Sequence, residues 1–267
     1  NLKSLIKTSF SEIMRNIALL LICFCMAKPQ IAQTQTEITS EGIDILLTLD
    51  ASGSMDALDF ELGGKSVNRL TVIKKVVNDF VRGRIADRIG VVTFGDMAFT
   101  LAPLTLDYDV LTQLIAKLDV SIAGEGTAIG DGLALSVKRI KDSPAKSKVI
   151  ILLTDGSNNA GSIAPEKAAE LAKTYNIKVY TIGVGNTGLV PLRRPSPMGD
   201  VIVRARMDFD ETLLKNIASA TGGQYFHASD TDKLKQIYST IDKMEKTKAT
   251  IRQYQSTEEL FAPILLL

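Results

Sequence analysis

The chain has 267 residues, and its 31 Lys+Arg against 30 Asp+Glu leave a net charge of +1. That balance provides no strong field toward nucleic acid. With 45% hydrophobic and 23% charged residues, wholesale disorder is excluded, and one ordinary domain with extensions can bury a real core.

The apolar excess gathers at both ends. Residues 17–27 read IALLLICFCMA and residues 260–267 read LFAPILLL, neither with a charge. The first run is short of the ~20 residues that cross a bilayer unless its helix begins near Ile13 and tolerates Arg15. A basic flank (Lys3, Lys7, Arg15) and a small residue at Ala32 equally fit a signal-peptide core. Residues 1–28 are expected to be a membrane helix or anchor, residues 29–42 a polar linker, and residues 247–267 a linker and the start of a second transmembrane helix. On this reading the chain is a piece cut at a membrane segment on each side. Positive charge before the first run puts that side in the cytoplasm and sends the following domain outward. Cys23 and Cys25 both lie inside the run and read as small hydrophobes, with neither a disulfide framework nor zinc spacing.

From Ile43, short apolar runs alternate with amphipathic ones. Residues 43–49, 88–94, 148–154 and 177–184 look like strands buried on both faces. Between them a 3.6-residue period marks helices carrying Leu70, Ile73, Val77, Phe80 and Val81; Leu111, Leu114, Ile115 and Leu118; Ile129, Leu133, Val137 and Ile140; and Leu234, Ile237, Tyr238, Ile241 and Met244. Residues 98–104 follow the second strand too closely for a crossover helix and read as an antiparallel or edge strand. Residues 224–227 read as a last short one. The fold class is therefore α/β, a doubly wound, mostly parallel sheet flanked by helices over residues 43–246, with ligands bound beyond the carboxyl ends of its strands. Residues 186–207 break the pattern with three prolines and an alternating tail, and are expected to form a protruding hairpin or plain loop.

Two motifs stand where such a sheet places ligands. Asp50-Ala51-Ser52-Gly53-Ser54 follows the first strand, and Thr154-Asp155-Gly156 follows the third. If those strands are neighbours, Asp50 and Asp155 sit side by side, and two carboxylates so placed repel unless one is protonated or a cation lies between them. Hard oxygen donors without His or Cys suit Mg²⁺ or Mn²⁺. A glycine-rich loop, residues 124–131, lets Thr127 reach the same edge.

D-x-S-x-S, a threonine in a glycine-rich loop and T-D-G after a buried strand resemble the metal ion-dependent adhesion site of von Willebrand factor A domains. The likeness covers roughly residues 42–241, with all five positions intact. More narrowly, EGIDILLTLDASGSM, NRL, DRIGVVTFG, GTAIGDGLA, KVIILLTDGSNN and ATGGQYF resemble the bacterial Bat aerotolerance family. That resemblance implies Asp50, Ser52, Ser54, Thr127 and Asp155 as metal-site residues for Mg²⁺ (or Mn²⁺ or Ca²⁺), and a partner protein offering an acidic side chain to the cation. It further implies other Bat proteins and a MoxR-type ATPase as company, and a place in the bacterial inner membrane with the domain facing the periplasm. The expectation is binding, not catalysis.

Other readings compete. Asp50, Ser52 and Thr127 could be helix caps. Asp131 reads as a first-turn helix acid, Asp56 and Asp59 as solvated, and His227 as a strand-end packing residue. A magnesium-dependent phosphoryl-transfer enzyme on a similar sheet is the alternative, although the position two beyond Asp50 is Ser52 rather than a second acid. A Ser/His/Asp hydrolase would have to use His227, the only histidine, without a G-x-S-x-G elbow. Gly183 to Gly188 spells G-x-G-x-x-G after a strand, but the following prolines deny it a helix N-terminus for a pyrophosphate. A purely structural reading leaves the site empty and associates the chain through its apolar ends.

Overall fold

The computed structural model describes residues 2–26, 30–39, 42–194, 199–207, 209–245 and 250–259. The helices are α1 (Leu2–Met26), α2 (Arg69–Arg82), α3 (Tyr108–Ala116), α4 (Ile129–Ile140), α5 (Pro165–Thr174), α6 (Glu211–Ala220) and α7 (Thr231–Glu245). The strands are β1 (Gln30–Thr39), β2 (Asp44–Asp50), β3 (Phe60–Leu62), β4 (Lys65–Val67), β5 (Arg88–Phe94), β6 (Ala98–Thr105), β7 (Lys148–Thr154), β8 (Lys178–Val184), β9 (Gly188–Arg194), β10 (Val201–Met207), β11 (Tyr225–Ala228) and β12 (Thr250–Glu259). The chain divides into two units, one comprising residues 1–40 and 249–267 and the other residues 41–248.

In the first unit, β1 pairs antiparallel with β12, from Gln30 opposite Glu259 to Thr39 opposite Thr250. Residues 29–42 and 247–267 were expected to contain polar linkers; here the Thr- and Ile-bearing stretches are extended strands, since β-branched residues favour a pleated backbone once a partner is present. The membrane helix expected over residues 1–28 is a helix here, α1, but its crossing of a membrane is not confirmed. Lys3, Lys7, Glu12 and Arg15 lie within residues 2–15 of α1, and among the described residues no helix is long and apolar enough to cross a membrane. The apolar run at residues 260–267 lies outside the described residues.

The second unit holds a six-stranded sheet in the order β11-β8-β7-β2-β5-β6. All neighbours run parallel except β6, which pairs antiparallel with β5 at the edge, as the short connection requires. Every residue of β2 is buried, which explains why residues 45–49 are apolar apart from Thr48. Ile45, Leu47 and Leu49 face a core shared with α2, α3 and α7, while Leu46 faces a second core shared with α4, α5 and α6. Thr48 lies on that second side and satisfies its hydroxyl against Ser136 Oγ at 2.7 Å.

Strand order places the functional edge. From β2 the chain passes to β5 on one side and later returns to β7 on the other, so the switch of direction opens a crevice where β2 and β7 end. The opposite pole is closed by ion pairs. Asp44 binds Arg88 and Ser143, its backbone N–H donates to the Ser147 carbonyl at 3.1 Å, and Ser147 Oγ donates to Glu245 at 3.2 Å. Glu245 also accepts from Tyr180 Oη at 2.5 Å and Lys178 Nζ at 2.7 Å. The chain thus enters and leaves this domain at the same pole.

Two hairpins decorate the sheet. β3 and β4 are joined through Gly63-Gly64, whose φ values of 58° and 75° suit a tight turn that other residues resist. The segment expected to protrude over residues 186–207 is the antiparallel pair β9–β10. One of its faces is not exposed, because Val190 and Leu192 are buried with Ala57 in a small apolar cluster.

Candidate metal centre

The site grows from the ends of β2 and β7. Asp50, the last residue of β2, is wholly buried; its Oδ1 accepts from the Ser52 backbone N–H at 2.8 Å and its Oδ2 from Thr154 Oγ1 at 2.6 Å. Those bonds turn the chain sharply, and Ser52 then lies 3.0 Å from Ser54, hydroxyl to hydroxyl. Ser54 Oγ donates to Asp155 Oδ1 at 2.5 Å. The structure therefore joins four of the five expected residues in one hydrogen-bonded cluster, with Thr154 binding both motifs together.

Thr127 completes the edge. Its backbone N–H donates to Asn159 Oδ1 at 2.8 Å and its carbonyl accepts from Asn159 and Ala160. Its hydroxyl oxygen lies only 3.2 Å from where a Cβ on Gly156 would fall, so it stands beside the T-D-G turn. The loop carrying it is held by Asp96, which accepts from the N–H groups of Glu125 and Gly126 at 3.0 Å each. Thr127 is not a cap: Ala128 occupies that position before α4, without a side-chain hydrogen bond. Ser52 likewise makes no capping bond to the turn that follows it. Asp131 accepts from the N–H groups of Ser162 and Ile163, pinning the loop after β7 beyond any role as a dipole partner.

Sequence reasoning missed Arg69. Its side chain is 1% exposed and lies 2.9 Å from Asp155 Oδ2 and 2.6 Å from Asp59 Oδ2, with Nε also donating to Asp59 Oδ1 at 2.8 Å. Asp59, expected to be solvated, is instead 6% exposed in this pair, and Asp56, also expected in solvent, accepts from Asn68 Nδ2 at 2.8 Å. Gly185 makes room: with φ of 107°, a Cβ there would fall 2.2 Å from the guanidinium carbon. The signal was available, since a cation at the first position of a helix opposes the helix dipole and calls for a specific anion.

Burial, and then the neighbouring Asp155 charge, push the Asp50 carboxyl up to about 7. Burial also raises Asp155, against the opposing pull of Arg69 and of its hydrogen bonds. Burial alone would raise Asp59 too, but the bonds and charge of Arg69 outweigh it and hold that carboxyl below its ordinary range. Two wholly buried carboxylates of which only one is paired with a cation leave a deficit of positive charge, and three hydroxyls stand around it. That donor set fits a hard divalent ion with water in its shell. Among the described residues no cluster of three His, Cys, Asp or Glu side chains could hold a metal, so any cation here depends on hydroxyl ligands.

The remaining motifs fall elsewhere. His227 packs at the end of β11, its Nε2 2.9 Å from the Gly185 carbonyl and its ring against Phe209. The G-x-G-x-x-G sequence runs from β8 directly into β9, with no helix behind it.

A family model for the von Willebrand factor type A domain matches residues 44–240. The chain belongs to the von Willebrand factor type A domain family. Among solved structures, an aerotolerance-related membrane protein from Bacteroides fragilis aligns with a TM-score of 0.63 and 25% identity, covering 76% of this chain and 98% of that one. BatB from Bacteroides thetaiotaomicron aligns at 0.62 and 28%, covering 77% and 100%. Proximal thread matrix protein 1 from mussel byssus, described with zinc occupying its MIDAS motif, aligns at 0.56 and 27%, over 85% of this chain and 50% of that one. An uncharacterized protein of Borreliella burgdorferi is 27% identical over 94% of this chain and 73% of its own length. Against a UPF0353 protein of Nocardia farcinica, 26% identical, the von Willebrand factor A chain spans 62% of the relative's length.

Proposed function

We propose that this chain is a divalent-cation-dependent protein–protein interaction module of a Bat-type envelope complex. The observation that carries the reading is the pair of fully buried carboxylates, Asp50 and Asp155, brought together with Ser52, Ser54 and Thr127 at the switch point of the sheet. Those five residues would hold Mg²⁺, with Mn²⁺ or Ca²⁺ as substitutes; the zinc-occupied motif of the mussel protein supports a divalent ion in a site of this kind. A bound cation supplies an electrophilic centre that an acidic side chain of a partner can complete. Ser52 and Ser54 orient toward one another and toward Asp155, Thr154 fixes Asp50, and Arg69 holds the far oxygen of Asp155 away from the hydroxyl side.

The role is binding rather than catalysis. Ser52 occupies the place where a phosphoryl-transfer enzyme keeps its second acid, and it is engaged with Ser54. Other Bat proteins and a MoxR-type ATPase are the partners this reading assigns, and the bacterial inner membrane, with the domain in the periplasm, is its location. Attachment would run through the apolar residues 17–27 and 260–267, with residues 43–246 as the interaction domain. The description of the Bacteroides fragilis neighbour as a membrane protein supports membrane association.

Calorimetric titration of Mg²⁺, Mn²⁺ and Ca²⁺ into the full chain tests the centre. Binding by the parent that disappears in Ser52→Ala and Asp155→Ala is the expected result. Cation binding that survives in both variants, or metal-dependent phosphate release from a generic ester, would refute it.

A further inference from the structure

The β9–β10 hairpin beside the metal centre has two unlike faces. Opposed residues in an antiparallel pair share a face, so Leu192–Val203 and Val190–Ala205 lie together on one side, and Arg193–Ile202, Pro191–Arg204 and Leu189–Arg206 on the other. The first side is packed: Val190 and Leu192 are buried against Ala57. The second is open, with Leu189 69% and Ile202 67% exposed among three arginines. Residues 186–207 hold four arginines and one acid, Asp200, in a chain whose net charge is only +1. Among the described residues neither Arg193 nor Arg204 has a carboxylate partner. β10 also pairs on one side only among the described residues, leaving an edge able to take a further strand.

The hairpin is joined to both halves of the cation edge. The Leu58 N–H donates to the Pro191 carbonyl at 2.7 Å, and Ala57 bridges Leu192, directly after the D-x-S-x-S turn. Arg194 pairs with Glu125 at 3.2 Å, two residues before Thr127. The packed face thus anchors the hairpin to the loops that carry the metal edge, and the basic face is the side left open for a partner.

We propose that the outward face and free edge of the β9–β10 hairpin dock an extended acidic segment of the partner protein, in which carboxylates meet Arg193 and Arg204 and alternate aliphatic residues cover Leu189 and Ile202. This rests on the cation-dependent reading above and names the chemistry of its partner: a strand rich in Asp or Glu, with a further carboxylate for the metal. An anionic lipid surface would answer the arginines, but it would make no use of the main-chain edge or of the adjoining cation centre.

The test uses the full chain and a fluorescein-labelled peptide of alternating glutamate and valine, followed by anisotropy in Mg²⁺ and in EDTA. The wild type should bind in EDTA and more tightly in Mg²⁺. Arg193→Gln/Arg204→Gln should lose about tenfold in both conditions, the corresponding double lysine variant should retain most of the binding, and Ser52→Ala should lose only the Mg²⁺ increment. If the double glutamine variant binds as the wild type does, the docking surface is refuted while a surviving Mg²⁺ increment leaves the cation reading intact. If the wild type shows no Mg²⁺ increment but the glutamine variant is weakened, the cation reading fails and the hairpin stands. Absence of peptide binding overturns the proposal and leaves the arginines as guards of an exposed edge, and binding to phosphatidylglycerol vesicles alone overturns it in favour of lipid.

Discussion

Replacing Arg69 by methionine keeps much of the side chain's volume and removes its charge. Asp155 and Asp59, whose side chains are 0% and 6% exposed, then remain buried without their cation. Breaking a buried pair from one side costs about 3–5 kcal/mol; at about 2–4 °C per kcal/mol for a domain of this size, the melting temperature in EDTA should fall by about 6–20 °C. The double variant Arg69→Met/Asp59→Asn should regain part of that loss, because one of the two stranded charges is gone. The centre itself should change in the other direction: with the guanidinium absent, the carboxylates attract Mg²⁺ more strongly, so Mg²⁺ should raise the melting temperature of the variant by more than that of the wild type. Thermal melts by circular dichroism, with and without Mg²⁺, read all of these. A loss below about 1 kcal/mol in EDTA would show that Arg69 is not the counter-ion the geometry makes it.

Other expectations follow from the same geometry. In the metal-free protein Asp50 is raised to about 7 from 3.8, so the native state holds its proton more firmly than the unfolded chain and stability is lost as pH rises through that window. Mg²⁺ should therefore raise the melting temperature more near pH 8 than near pH 5, and an equal rise at both would contradict the assignment. Gly185→Ala sets a Cβ 2.2 Å from the guanidinium carbon at φ of 107° and should cost about 2–4 kcal/mol in urea denaturation; a neutral result would mean the guanidinium moves freely. Glu245→Gln weakens the bonds to Tyr180 and Lys178 at the far pole and should lower stability by about 1–3 kcal/mol while leaving calorimetric Mg²⁺ affinity unchanged, which an altered affinity would disprove.

The strands that carry the site were legible because both of their faces are buried. A run such as that of β2 has no polar alternation to confuse it, and the motifs at the ends of β2 and β7 then fall on one edge. Weaker signals went unread. The buried side of α5 is Ala168, Ala169 and Ala172, too small to mark a hydrophobic period, and α6 spans only ten residues. The β3–β4 hairpin offers three residues per strand, so its Gly63-Gly64 turn was the only mark it left. The pairing of β1 with β12 joins segments from opposite ends of the chain, which no local pattern encodes. At the site, hydroxyl and carboxylate positions followed from the motifs, whereas the Arg69–Asp59 pair did not, because a helix-opening arginine next to Leu70 reads as the polar margin of an amphipathic helix until tertiary contacts bury it.

Asp44 and Glu245, the first and last residues of the domain's sheet and final helix, share Ser147 at the pole opposite the cation edge. Seven-residue strands separate the two poles by roughly 20 Å. Tension between a ligand held at one pole and the domain's own ends at Asp44 and Glu245 would run along the strand axes. The parallel ladders of β2 with β5 and β7 would then carry that load in shear, many hydrogen bonds together, rather than parting one after another. Single-molecule stretching between Ser54 and Ile43 should thus require more force than stretching between Ile43 and Glu245, and equal forces would deny this architecture its mechanical directionality.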